Sequence, residues 1–197
     1  MPINNLKTFG LTSCRDVLAK LDRELARLDT ARTLEDACDH STNAAITAWH
    51  LVDWTWSALK KDKQLSDRIA NANDLGVRWS GINEFQGWLL EHGCSELRHC
   101  QMITTSFKHS GLSSKPDDPD FAAQPGPVEV QWVNASGQPF TWVNSAGEPF
   151  SWSAGADSQW WIIEGDQKYL INSLLKAVQH FWHTFLNLLM RYHSAEV

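Results

Sequence analysis

Apolar residues recur at helical spacing in several stretches of this chain, with polar breaks between them. Over residues 13–30, Cys14, Leu18, Leu21, Leu25 and Leu28 repeat at four-three spacing, which predicts a helix with one narrow buried seam. Ser13 stands where an N-cap belongs, with Asp16 three residues on, a variant of the capping box. The opposite face is Arg, Lys, Asp and Glu, and is read as solvent-facing.

Thr33 with Asp36 opens a second, longer helix predicted to reach about Lys61. One face carries Leu34, Ala37, Cys38, Ser41, Ala44, Ala45, Ala48, Val52, Thr55, Trp56 and Leu59. The other carries Asp36, Asp39, His40, Asn43, Thr47, His50, Asp53 and Trp54, stacked one above another by alternating steps of four and three. This second stripe contains no Lys or Glu, and Ile46, Trp49 and Trp54 lie within or beside it. Such a composition points to a partner helix or a cleft as readily as to water.

After Lys61 the pattern breaks up. SDRIANANDL predicts a short helix, residues 76–81 a break, and GINEFQGWLLEHG another short helix ending at Gly93. Ser95 is predicted to cap a helix through His109, with Leu97, Cys100, Ile103 and Phe107 inside. Residues 112–127 are rich in Pro, Gly, Ser and Asp and read as loop. QWVNASGQPF (131–140) is then followed by TWVNSAGEPF (141–150), with a degraded third copy at 151–160. Each unit suggests strand, turn and strand, so 128–165 reads as a small β meander. Two or three such copies do not make a free-standing solenoid, and Trp residues capping the bundle explain them more simply than a Trp-lined binding face. Asp166 is predicted to cap a last helix over 166–193, buried along Leu174, Val178, Phe181, Phe185, Leu188 and Tyr192.

The expectation is therefore one domain over 1–197, mainly α: an antiparallel bundle of four main helices with a β meander inserted before the last. A formal charge of −6 argues against a general electrostatic grip on nucleic acid. The chain has eleven Trp but two Tyr, and its four Cys form no C-x-x-C pair. Cysteines set inside apolar helical patterns suggest reduced thiols and a cytoplasmic protein. The most apolar stretch, 170–190, is interrupted by Lys176, His180 and His183, so no membrane span is expected.

The candidate chemistry is a set of histidines and their neighbours: His50 with Asp53 on the second helix, Lys108 and His109 after Cys100, and His180 with His183 near the C-terminus. A histidine beside a carboxylate is equipped for acid–base work at neutral pH. Asn43, Thr47, Trp54 and Arg98 are the candidate ligand-binding residues. The sequence holds no H-E-x-x-H, paired Cys motif, G-x-S-x-G, Walker A loop or G-x-G-x-x-G, so no metal or cofactor is expected.

The run AITAWHLVDW (45–54), with Cys100 and Lys108-His109 downstream, resembles a family of small uncharacterised bacterial helical proteins. That family carries an A-x-T-A-x-H-L-x-D-W helix before a C-x7-K-H helix. The resemblance implies a fold but no activity. More distantly the layout is similar to HEPN domains, many of which are ribonucleases with an Arg four to six residues before a His. Here Arg98 precedes His109 by eleven, and Arg191-x-His193 is too short.

Two functions are expected. The first is a non-catalytic binding or regulatory module of a bacterial stress or defence system, acting on a protein partner or by self-association. The alternative is a HEPN-like ribonuclease or other hydrolase acting on RNA, with His50 and His109 as acid and base, Asp53 orienting and Lys108 stabilising an anion. Under the first, His50 is structural, which implies that replacing it by Ala destabilises the fold.

Overall fold

The computed structural model describes residues 8–72, 75–109, 121–127 and 158–194. Helix α1 (Cys14–Asp29) begins where its local chemistry dictates: Ser13 Oγ accepts from the Asp16 N–H, and the Asp16 carboxylate accepts from the Ser13 N–H in return. Helix α2 (Leu34–Lys61) starts the same way, with Thr33 Oγ1 accepting from the Asp36 N–H at 3.0 Å. Asp62 both ends α2 and caps α3 (Lys63–Ala70). Helix α4 (Ile82–Trp88) runs on into a π turn at Leu89–Gly93, and α5 spans Leu97–His109. Strands β1 (Phe121–Pro127), β2 (Ser158–Glu164) and β3 (Gln167–Leu170) then precede α6 (Ile171–Ser194). The strands form one antiparallel sheet in chain order. The protein is thus mainly helical with a small three-stranded sheet.

α2 lies at the centre, packed against α1, α5 and α6. Its middle turns present Ala44, Ala45 and Ala48, all fully buried, as a flat strip. At Ala48 α6 sets Trp182, also fully buried, whose indole Nε1–H donates to the Ala48 carbonyl at 3.1 Å. Small residues on one helix make room for the largest side chain of the other. Trp79, Phe85, Trp88, Phe181 and Phe185 extend this contact; Trp79 meets Phe85 edge-on at 4.9 Å and Trp88 at 5.2 Å. The π turn passes so close that a Cβ at Gly93 would sit 3.1 Å from the Phe181 ring.

A polar rail fixes α1 antiparallel to α6. The Arg15 guanidinium donates to Asn187 Oδ1 at 2.8 Å. The Asp22 carboxylate accepts from Gln179 at 2.6 Å and pairs with His183 at 2.9 Å. Asp29 meets Asn172 at 3.0 Å and Lys176 at 2.8 Å. Residues 15, 22 and 29 advance by heptads while 187, 183/179 and 176/172 retreat along α6. Rungs seven residues apart stay on one face of each helix.

Four expectations need correction. Residues 121–127, read as loop, form β1; Pro125, Gly126 and Pro127 are tolerated because β1 is an edge strand among the described residues. Asp166 does not cap the last helix. It sits in the two-residue β2–β3 turn with Gly165, whose φ of +56° suits such a hairpin, and α6 starts at Ile171. The buried face of α6 includes the expected Leu174, Val178 and Phe185 but is completed by Leu175, Trp182, Leu186 and Leu189, while Phe181, Leu188 and Tyr192 are half-buried. Phe107, expected inside, is 61 % exposed at the end of α5. The meander expected over 128–165 falls mostly on 128–157, which lie outside the described residues, as does the repeat.

The Trp182–alanine contact yields a prediction. Ala48→Leu forces extra volume against Trp182 and is expected to cost about 1–3 kcal/mol in urea unfolding. Trp182→Phe, which removes the indole donor, is expected to cost about 1–2 kcal/mol. In the double variant the two costs do not add, because the residues touch.

Candidate functional site

A cleft of about 830 Å³ opens where the start of α1, the last turns of α2, α3 and the end of α6 meet. Its floor is Thr55, Leu59, Leu65, Leu186 and Leu189, and half-buried Trp54 forms part of its wall. Arg15, Asp53, Lys61 and His193 also line it and supply charge. The far end is braced: His193 Nδ1 lies 3.2 Å from Asp62 Oδ2, and the Arg68 guanidinium donates to the Tyr192 carbonyl at 2.7 Å. Arg68 thereby caps the C-terminal carbonyls of α6. Asp62 is held below the usual carboxylate range mainly by the Leu65 N–H and secondarily by His193. Burial raises the Cys14 thiol in the same wall, so it stays protonated at neutral pH.

A second polar set joins α1 to α2. Glu24, only 6 % exposed, gathers Arg27 at 3.1 Å, His40 at 3.3 Å and Lys20 at 3.6 Å. Lys20 also donates to Thr47 Oγ1 at 2.6 Å, and Thr47 donates to the Asn43 carbonyl at 2.6 Å. Thr47, a predicted ligand-binding residue, is therefore engaged within the fold. Glu24 was missed because its helix face reads as solvent-facing, and only α2 reveals otherwise.

Another cleft, of about 530 Å³, lies between α5, the β2–β3 hairpin and α6. Here Glu164 accepts from Arg98 at 2.8 Å and meets His99 Nε2 at 3.2 Å, while the His99 ring lies 4.8 Å from that of Tyr169. Arg98 was anticipated from sequence; His99 and Glu164 were not, since a partner 65 residues away leaves no local signal. Close by, burial pushes the Cys94 thiol up to about 12 and raises Cys100 as well. Neither supplies a thiolate at neutral pH.

The predicted residues are thus dispersed. Asp53 and Trp54 line the 830 Å³ cleft and Arg98 the 530 Å³ one, while Asn43 and His50 are exposed. Lys108 is exposed on the last turn of α5, and the side chain of His109 lies outside the described residues. Ser106 and Phe107 share a slot with Cys38, Ser41 and Thr42, so α5 ends beside the start of α2. His50 lies eight residues beyond Thr42, roughly 12 Å of helical rise. His50 thus lies further along α2 than the residues that share a slot with the end of α5. Among the described residues, no three His, Cys, Asp or Glu side chains are grouped to hold a metal ion. No helix there is long and apolar enough to cross a membrane.

No family model, curated protein or solved structure matches the chain.

Two predictions follow from this geometry. An exposed His50 reverses the expectation drawn from sequence: His50→Ala is expected to shift stability by no more than about 0.5 kcal/mol in a thermal melt. The second concerns acid. Asp29, held by Lys176 and then Asn172, and Asp62 both titrate below their usual value of 3.8. A carboxylate whose folded value is depressed stabilises fully above its unfolded value and loses that contribution as pH falls through the folded one. Melting temperatures should therefore decline as pH drops below about 4, and Asp29→Asn should flatten part of that decline in a pH series of melts.

Proposed function

We propose that the chain is a non-catalytic binding protein, and that the cleft between α1, α2, α3 and α6 holds a small amphipathic molecule with an anionic head. The observation that carries this is the cleft itself: about 830 Å³, with an apolar floor and charge from Arg15, Lys61 and His193 against Asp53. Ligand sites in proteins typically occupy about 300–1,000 Å³, lined mainly by apolar and aromatic groups with a few polar ones fixing orientation. Trp54 supplies the aromatic wall, and the braced end of α6 keeps the cleft formed without a ligand. The scaffold in this reading is an antiparallel bundle of α1, α2, α5 and α6, supported by the α1–α6 polar rail. The stretch of α2 between His50 and the end of α5 weighs against the hydrolytic alternative, which needs His50 and His109 to share a substrate.

Titration with sodium dodecanoate below its micellar range, followed by tryptophan fluorescence, tests the proposal. Ala58 is exposed and lines the cleft, so Ala58→Trp fills it without disturbing the core. The expected result is saturable binding that weakens at least about ten-fold, or roughly 1.4 kcal/mol, in Ala58→Trp. Absence of saturable binding, or affinity unchanged by Ala58→Trp, would overturn it.

A further inference from the structure

A separate slot of about 390 Å³ lies on the other side of α2, between its first turns, the end of α5, the sheet and the start of α6. Its walls are almost wholly apolar, led by Ile103, Trp160, Ile162 and Ile171. Trp160 is a fixed wall, because its indole Nε1–H donates to the Leu34 carbonyl at 2.9 Å. Phe107, 61 % exposed, stands at the same slot and gives the end of α5 an apolar surface with no covering side chain among the described residues.

Ser41 belongs to this wall and departs from the behaviour of its kind. It is 6 % exposed, and its Oγ has no hydrogen-bond partner among the described residues. A hydroxyl in a helix ordinarily donates to the carbonyl four residues back. Thr47, Ser66 and Thr104 all do so here, to Asn43 at 2.6 Å, Asp62 at 3.1 Å and Cys100 at 2.8 Å. Ser41 does not take that bond, and its proton has no acceptor among the described residues. A buried hydroxyl left unpaired destabilises the fold, and where one persists, an absent ligand or water accounts for it.

We infer that this slot binds a small, largely apolar molecule bearing one carbonyl oxygen, which accepts from Ser41 Oγ while its hydrocarbon body lies against Trp160 and Ile103. The hydrophobic walls supply affinity for any compact apolar body, and the buried hydroxyl of Ser41 supplies the preference for an oxygen. Ketones, esters and protonated fatty acyl heads share this chemistry; cations and multiply charged metabolites find no counter-charge in the slot. The site is independent of the larger cleft and of its proposed ligand.

The test compares two probes of nearly equal shape, acetophenone and α-methylstyrene, the second having a methylene where the first has its oxygen. Binding to the full chain is read by ligand-observed saturation-transfer NMR and by quenching of tryptophan fluorescence. The native protein is expected to prefer acetophenone about ten-fold, and Ser41→Ala is expected to erase that preference while still binding both. Ser41→Ala removes an unpaired hydroxyl, so its melting temperature should equal or exceed that of the native protein, which separates loss of binding from loss of fold. Thr42→Trp, which fills the slot from α2, is expected to abolish both. Equal binding of the two probes by the native protein, a preference that survives Ser41→Ala, or binding indifferent to Thr42→Trp would each overturn the inference.

Discussion

The placement of Trp182 against Ala48 of α2 is the constraint on which the rest of the structure depends. A helix surface of Ala44, Ala45 and Ala48 has little to bury by itself, and an indole ring needs both a flat apolar bed and an acceptor for its N–H. Each supplies what the other lacks, with the Ala48 carbonyl as acceptor. Once α6 is held at that depth, Phe181 and Phe185 reach the aromatic group around Phe85, and the π turn must pass close enough to exclude a side chain at Gly93. The large cleft follows from the same placement, because its floor is built where α2 and α6 continue beyond this contact.

Apolar packing fixes depth but discriminates poorly between neighbouring registers, and here polar contacts do the discriminating. The Asp22 and Asp29 rungs would all miss their partners if α6 slid by one turn along α1. Glu24 plays the corresponding part between α1 and α2, where a buried carboxylate is tolerable only with Arg27, His40 and Lys20 around it. Such contacts add little to stability but exclude alternatives.

How much of this was legible in the sequence depends on how local each cause is. Helices α1 and α2 were readable nearly to the residue, since Ser13 with Asp16 and Thr33 with Asp36 cap them through groups three residues apart. The face of α6 was only partly so: Leu174, Val178 and Phe185 fall in the core as expected, but Trp182 and Leu186 join them in place of Phe181 and Leu188, which only packing against other elements decides. Strand β1 was hidden because the turn propensity of Pro125, Gly126 and Pro127 outweighs any local strand signal, and its pairing with β2 is entirely non-local. Of the candidate site, Asp53 and Trp54 were visible as an unusual stripe on one helix, and they do line a cleft. Glu24, His99 and Glu164 acquire their character from partners on other elements, which no single-helix pattern can convey.

The proline-bearing edge strand has a consequence for the life of the molecule among its own copies. A sheet edge with a full row of donors is a template that a second chain can extend without end. In β1, two of seven positions are prolines, and prolines in sheets keep their missing N–H on the open side. A chain arriving there would leave carbonyls unanswered, so stacking stops before it starts. The segment that looked least like structure thus acts as a terminator at its own edge of the sheet, discouraging ordered growth on that side.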